Sequence, residues 1–190
     1  MRKHQIAASK QDFPVANVRH YLEPGPIVLV SSQYRRQRNI MTLGWLTVME
    51  FSPSLVGCMI AGSNHSFGLV RESRECVINL PTVALVDTVV GIGNCSGREV
   101  DKFAQFGLTP QKASQVQAPL IRECHVNLEC RLYDDALVER YNFFIFEVIK
   151  AHAGPPPQAP QTLHYQGKGQ FMLSGPSIDR SQLFQPWMLD

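Results

Sequence analysis

The sequence predicts a mainly β protein: six or seven strands, mostly antiparallel, closed or nearly closed into a barrel, with two or three short helices grouped mid-chain. Three observations carry this. Residues 126–132 are apolar at Val126, Leu128, Cys130 and Leu132 and polar between, the period-two pattern of a strand with one covered face. Short apolar runs bounded by turn residues recur on both sides of the chain's middle. Helical spacing, by contrast, is confined to the region between about residues 64 and 107.

In order, a turn or helical piece over 17–23 is stopped by Pro24-Gly25-Pro26, and 27–32 reads as a buried strand. The turn over 34–39 holds Arg35, Arg36 and Arg38, read as a solvated turn because isolated charge runs face water. It joins the first strand to a second over 39–50; Ser52-Pro53 turns the chain into a third over 54–61. The loop Ser63-Asn64-His65-Ser66 enters a short helix running through Arg71. A strand over 75–80 ends at Pro81, and Val83, Val86, Val89 and Val90 recur at helical spacing up to about Gly91. The glycines of 91–97 follow a helix where a dinucleotide fingerprint must follow a strand, so no Rossmann site is read there. A short helix begins near Val100 and closes at Gly107. Strands over 126–133 and 141–150 flank Asp134-Asp135 as a hairpin. A proline-rich linker over 154–160 precedes a last strand-like piece with His164-Tyr165 and Gln170-Phe171-Met172. The tail Leu183-Phe184 to Leu189 is too apolar to dangle, and packs either on its own domain or on a partner chain. The expected organisation is a lead-in over 1–20, one domain over 21–175 and a tail over 176–190.

Composition narrows the function classes. With 44% hydrophobic and 18% charged residues among 190, the chain can bury a core. A net charge of +2 is too mild to argue for nucleic acid. No run approaches the roughly 18 apolar residues of a membrane span, and the N-terminus lacks a signal's apolar segment, so a cytoplasmic location is expected. The five cysteines are odd in number and form no CxxC, which reads as reduced core thiols. Cys124 and Cys130 are expected on one strand face with His125 on the other, so no metal site is expected.

The chemistry is expected along residues 39–66. Ser63 to Ser66 can cap a helix with a hydroxyl and offer N–H groups to an anion. The neighbouring strand carries Asn39, Thr42 and Trp45, an aromatic-bearing floor for a flat ligand. A planar, phosphorylated cofactor fits both features.

Over residues 20–175 the chain resembles the flavin reductase-like family, the FMN-binding split barrels that include the flavoredoxins. The carriers are Asn39-Ile40-Met41-Thr42 with Trp45, Ser52-Pro53, Ser63 to Ser66, Asn79-Leu80-Pro81, Asp101-Lys102-Phe103 and the segment from Tyr165 to Phe171. The resemblance implies a six-stranded antiparallel Greek-key barrel, a homodimer and FMN near the subunit interface. It implies that Asn39, Met41 and Thr42 hydrogen-bond and cover the isoalloxazine ring, and that Trp45 flanks it. It implies further that Ser63, His65 and Ser66 surround the ribityl phosphate, that Lys102 reaches the cofactor and that Phe171 lies near the ring. One departure is that some relatives place a histidine on the strand near Tyr141, where the nearest here are His125 and His152. The expected activity is electron transfer from NADH or NADPH through FMN to an acceptor. A flavoprotein passing electrons between protein partners is the alternative, and a nucleic-acid-binding barrel using Arg35, Arg36 and Arg38 a remote one.

Overall fold

The computed structural model describes residues 25–153 and 160–188; the expected piece over 17–23 and the Pro155-Pro156-Pro157 linker lie outside them. The elements are β1 (Val28–Tyr34), β2 (Gln37–Leu43), β3 (Leu46–Glu50), β4 (Leu55–Met59), α1 (His65–Ser73), β5 (Glu75–Leu80), α2 (Val86–Gly93) and α3 (Lys102–Gln105). There follow β6 (Pro110–Gln111), β7 (Leu120–Ile121), β8 (Val126–Asp134), α4 (Val138–Tyr141), β9 (Phe143–Ala153), β10 (Leu163–Gly167) and β11 (Gln170–Leu173).

Seven strands pair antiparallel in the order β2-β1-β5-β8-β9-β4-β3. The two edge strands, β2 and β3, are separated in sequence by Gly44 and Trp45 alone. At about 3.3–3.6 Å per residue that link spans only about 10 Å, whereas the edges of a flat seven-stranded sheet lie about 29 Å apart. The sheet therefore curls until its edges meet, which makes it a barrel. Taken as one bent strand, β2 and β3 make that barrel six-stranded. The single strand expected over 39–50 is corrected here: it breaks at Gly44, where an added Cβ would stand 2.9 Å from Ile27 Cδ1.

Alternation along each strand sorts side chains into the barrel or onto its outside. The interior takes Val28, Val30, Met41, Leu43, Cys76 and Ile78, among others, with Phe144 and Phe146 stacked at 5.9 Å. Phe67 of α1 meets Phe144 edge-on at 5.3 Å, so α1 closes one end of the barrel. Each such buried side chain is worth about 1.5–3 kcal/mol. The outward residues Leu29 and Ile40 are covered by Val89 and Ile92 of α2, Phe103 of α3 and Leu163 of β10. Ile27 N donates to Leu163 O at 2.7 Å, which pins the β10–β11 hairpin beside the start of β1. The expected helices at one side are thus present, and the last strand-like piece is a two-stranded hairpin.

Cys130 lies inside the barrel and Cys124 in the outer layer, so the shared face expected for them does not exist. The reason is that β8 begins only at Val126, leaving Cys124 in the preceding turn. Burial pushes the Cys124 thiol up to about 12. Outside the barrel, two buried polar groups tie loops down. Asn79 Oδ1 accepts from Ile121 N (3.0 Å) and Asn127 Nδ2 (2.7 Å). Glu129 accepts from Ser114 N, Gln115 N and Val116 N and pairs with His152 Nε2 at 2.6 Å. Of the tail's described residues Leu183 is 80% exposed, Trp187 75% and Phe184 51%. Among the described residues no helix is long and apolar enough to cross a membrane.

Candidate functional site

The cleft lies along the outer seam where β2, the C-terminal half of α2 and the β10–β11 hairpin meet. Its first section is an apolar slot of about 510 Å³ walled by Thr42, Trp45, Val89, Val90, Tyr165 and Phe171. Strand alternation explains Thr42: it shares the outward face of β2 with Ile40, and its Oγ1 donates to Val89 O at 2.7 Å, tying α2 to the strand. Val90 is the helix residue that α2 turns toward the slot rather than the core, and is 41% exposed. Tyr165 and Phe171 are cross-strand partners in the hairpin, with ring centroids 5.1 Å apart. The walls suit a flat apolar ligand.

At Gly93 and Asn94 the slot meets a polar section of about 310 Å³, lined by Asn39, Ser63, His65, Ser96 and Lys102 among others. The two sections form one cleft with an apolar and a polar end. Lys102 is buried and donates from Nζ to Ile92 O at 2.8 Å, placing its charge at the C-terminal end of α2 where a cation is favoured. Burial lowers its pKa from the ordinary lysine value. His65 is likewise lowered, by partial burial first and then by Arg98 and Lys102. The polar end is thus an electropositive recess whose charge no carboxylate answers in its lining among the described residues.

Asn39 is the pivot of this end. It is 2% exposed, and its Nδ2 donates to Ser66 Oγ at 2.9 Å while its Oδ1 has no partner among the described residues. A buried acceptor left unmet costs free energy unless a ligand satisfies it. Gly97 closes over it: an added Cβ there would stand 2.1 Å from Asn39 Oδ1. The cradle therefore has an acceptor and a close backbone approach already built in.

Of the residues expected at the site, Asn39, Thr42, Trp45, Ser63, His65, Lys102 and Phe171 line this one cleft. Two are placed elsewhere. Met41 points into the barrel interior, because it alternates with Ile40 and Thr42, so its side chain does not cover the slot. Ser66 is fully buried behind Asn39, receiving hydrogen bonds from Asn39 and Ser32, and it is not the helix cap. Asn64 caps α1, its side chain accepting from Ser66 N at 2.9 Å. Sequence reasoning missed Asn94, Ser96, Gly97 and Tyr165. The small polar run from Asn94 to Gly97 was the available signal, set aside once its glycines failed the dinucleotide test.

The sequence profile of the flavin reductase like domain matches residues 20–172. A protein of Archaeoglobus fulgidus is 32% identical over 140 residues, covering 74% of this chain and 78% of its own length. YddH of Escherichia coli is 30% identical over 171 residues, covering 83% of this chain and 90% of its own. Among solved structures, the FMN-binding domain of a flavin reductase-like enzyme from Shewanella baltica superposes with a TM-score of 0.75 at 25% identity, covering 88% and 95% of the two chains. The flavoredoxin of Desulfovibrio vulgaris superposes at 0.76 with 20% identity, covering 94% and 97%. Profile, relatives and barrel agree, and the chain belongs to the flavin reductase-like domain family with the fold of its FMN-binding split barrels.

Proposed function

We propose that this protein is an FMN-binding oxidoreductase of the flavin reductase type, passing electrons from NADH or NADPH through FMN to an acceptor. The observation that carries the reading is the single cleft in which an apolar, aromatic slot runs into an electropositive recess holding an unmet buried acceptor, Asn39 Oδ1. The Shewanella baltica structure, described as an FMN-binding domain, supports the same cofactor.

FMN when bound supplies the hydride and electron chemistry. The chain's own residues hold and shield it. Trp45, Tyr165 and Phe171 would hold a flat ring in the slot and keep water from it. Thr42 positions α2 against that ring through its bond to Val89 O. Asn39 would hold the ligand's polar middle from the wall of the recess. Lys102, His65 and Ser63 would hold the phosphate, Lys102 as a charge-assisted donor. Among the described residues the slot's lining carries no carboxylate, imidazole or thiol, and the protein's contribution there is read as alignment.

A homodimer belongs to this reading. Val48 is 70% exposed and Phe51 88%, and both lie on or beside β3, the strand that follows Trp45. With the exposed tail, they form apolar surface of the kind that a second copy covers. Sedimentation velocity is expected to give a dimer.

The test is anaerobic mixing of the FMN-loaded protein with NADH or NADPH while following its visible absorbance. Bleaching by one or both supports the reading. Bound FMN that neither nucleotide bleaches replaces it with the electron-carrier alternative, and failure to take up FMN removes both.

A further inference from the structure

We propose that Cys95 makes the polar recess a thiol modification site, which exchanges with a small anionic disulfide and, once it carries the adduct, excludes the cofactor's phosphate. The effect on loading rests on the flavin reading of the cleft. Four of the five cysteines, Cys58, Cys76, Cys124 and Cys130, are buried in the barrel or in the layer outside it, where a thiol packs as a small hydrophobe. Cys95 differs from them. It is half-buried, belongs to none of the apolar clusters among the described residues, and lines the recess with Asn39, His65 and Lys102.

Its place follows from the end of α2. The helix stops at Gly93, and Asn94 N donates to Val90 O and Gly91 O, so the next residue enters the wall of the recess. There the Cys95 thiol donates to Ile92 O at 3.9 Å, the same carbonyl that Lys102 Nζ reaches at 2.8 Å. A thiol and an ammonium thus converge on one oxygen. The attacking form of a cysteine is its thiolate, and a neighbouring cation stabilises that form. The recess is also built for a ligand: Asn39 Oδ1, on a side chain 2% exposed, lines it with no partner among the described residues. Lys102 and His65, with Arg98 acting on His65 from beside them, favour a disulfide that carries carboxylates. In the exchange Cys95 Sγ attacks one sulfur of that disulfide. A bond forms between the two sulfurs and the old S–S bond breaks. The other half leaves with the electron pair of the broken bond and takes up the proton that Cys95 gave up, so the small disulfide is itself the oxidant.

The experiment treats the purified full chain with oxidised glutathione, an anionic disulfide, and with cystamine, a cationic one. The adduct is followed by mass spectrometry of whole protein and peptides, beside a titration with FMN. The native chain is expected to take one adduct, at Cys95, where the chain unfolded in urea takes up to five. Relative to the same peptide in urea, native Cys95 should favour glutathione over cystamine at least about threefold. Saturating FMN should slow the adduct at least about tenfold, and the adduct should weaken FMN at least about tenfold until dithiothreitol removes it. Cys95→Ser should take no adduct, and the treatment should leave that variant's own FMN affinity as it was. No adduct at Cys95, no preference for the anionic disulfide, or an adduct that leaves FMN affinity within about twofold overturns the proposal while the FMN reading stands. If the untreated chain binds no FMN, the flavin reading falls and the exclusion of phosphate falls with it.

Discussion

Gly97→Ala tests the cradle with a single methyl group. The new Cβ would stand 2.1 Å from Asn39 Oδ1 and 2.5 Å from its Cγ, where ordinary contact begins near 3.4 Å. Asn39 cannot swing aside cheaply, because it is 2% exposed and anchored to Ser66 Oγ at 2.9 Å. The loop over 94–97 must therefore move outward by about 1 Å, or the anchor must break; overpacking of this kind costs about 1–3 kcal/mol. Either response pulls the acceptor away from the ligand, so FMN should bind about 10- to 100-fold more weakly, the value of one lost hydrogen bond plus misplacement of its neighbours. The assay is flavin fluorescence quenching, with urea unfolding run in parallel to read the stability change. Gly68→Ala is the control: nothing lies within 4 Å of its added Cβ, and a helical alanine gains about 0.5–1 kcal/mol over glycine. FMN affinity of Gly97→Ala within about twofold of the parent would refute the reasoning.

Four further outcomes follow from the same structure. Lys102→Met should weaken FMN at least about tenfold and leave riboflavin, which lacks the phosphate, within about twofold, as read by competitive titration. Trp45→Ala should weaken both flavins alike, since it touches the ring end, and should cost little folding stability because Trp45 is 50% exposed. The lowered His65 pKa means the recess resists that proton until an anion arrives; FMN binding should take up a proton and tighten as pH falls, more steeply than in His65→Gln, measured by calorimetry in two buffers. Glu129, buried and held by backbone N–H groups and His152, has its pKa lowered from 4.5 to about 2. A carboxylate lowered in this way stabilises the fold fully above its unfolded value, and that contribution is lost as pH falls from 4.5 toward 2. Its size is about 3 kcal/mol, and urea midpoints of Glu129→Gln should lack that part of the decline.

Much of the barrel is written locally. The alternation of Leu128, Cys130 and Leu132 survives into the structure because one face of β8 looks into a packed interior. The closure was legible only as a consequence: nothing in the sequence marks Gly44 as the break between two opposite edges, because the break depends on the approach of Ile27, just ahead of β1. Site residues fared according to how far their orientation depends on neighbours. Thr42 follows from the alternation of β2, and Trp45 from the short link that directly continues it. Met41 was misplaced because adjacent strand residues cannot share one face, and the motif ran through both faces of β2. Ser66 was misplaced because a hydroxyl at a helix start can serve outward or inward, and Asn39 and Ser32, distant in sequence, draw it inward. Asn94 and Gly97 showed in the sequence only as part of a small polar run, because their place at the site depends on the end of α2 standing over β2.

The most direct measurement is the stoichiometry and specificity of flavin uptake by the purified chain, read by fluorescence quenching and confirmed by chromatography of the flavin released on denaturation. The account predicts one FMN per chain and markedly weaker uptake of riboflavin, because the recess around Lys102 is built for the phosphate. No uptake, or riboflavin bound as tightly as FMN, would contradict it.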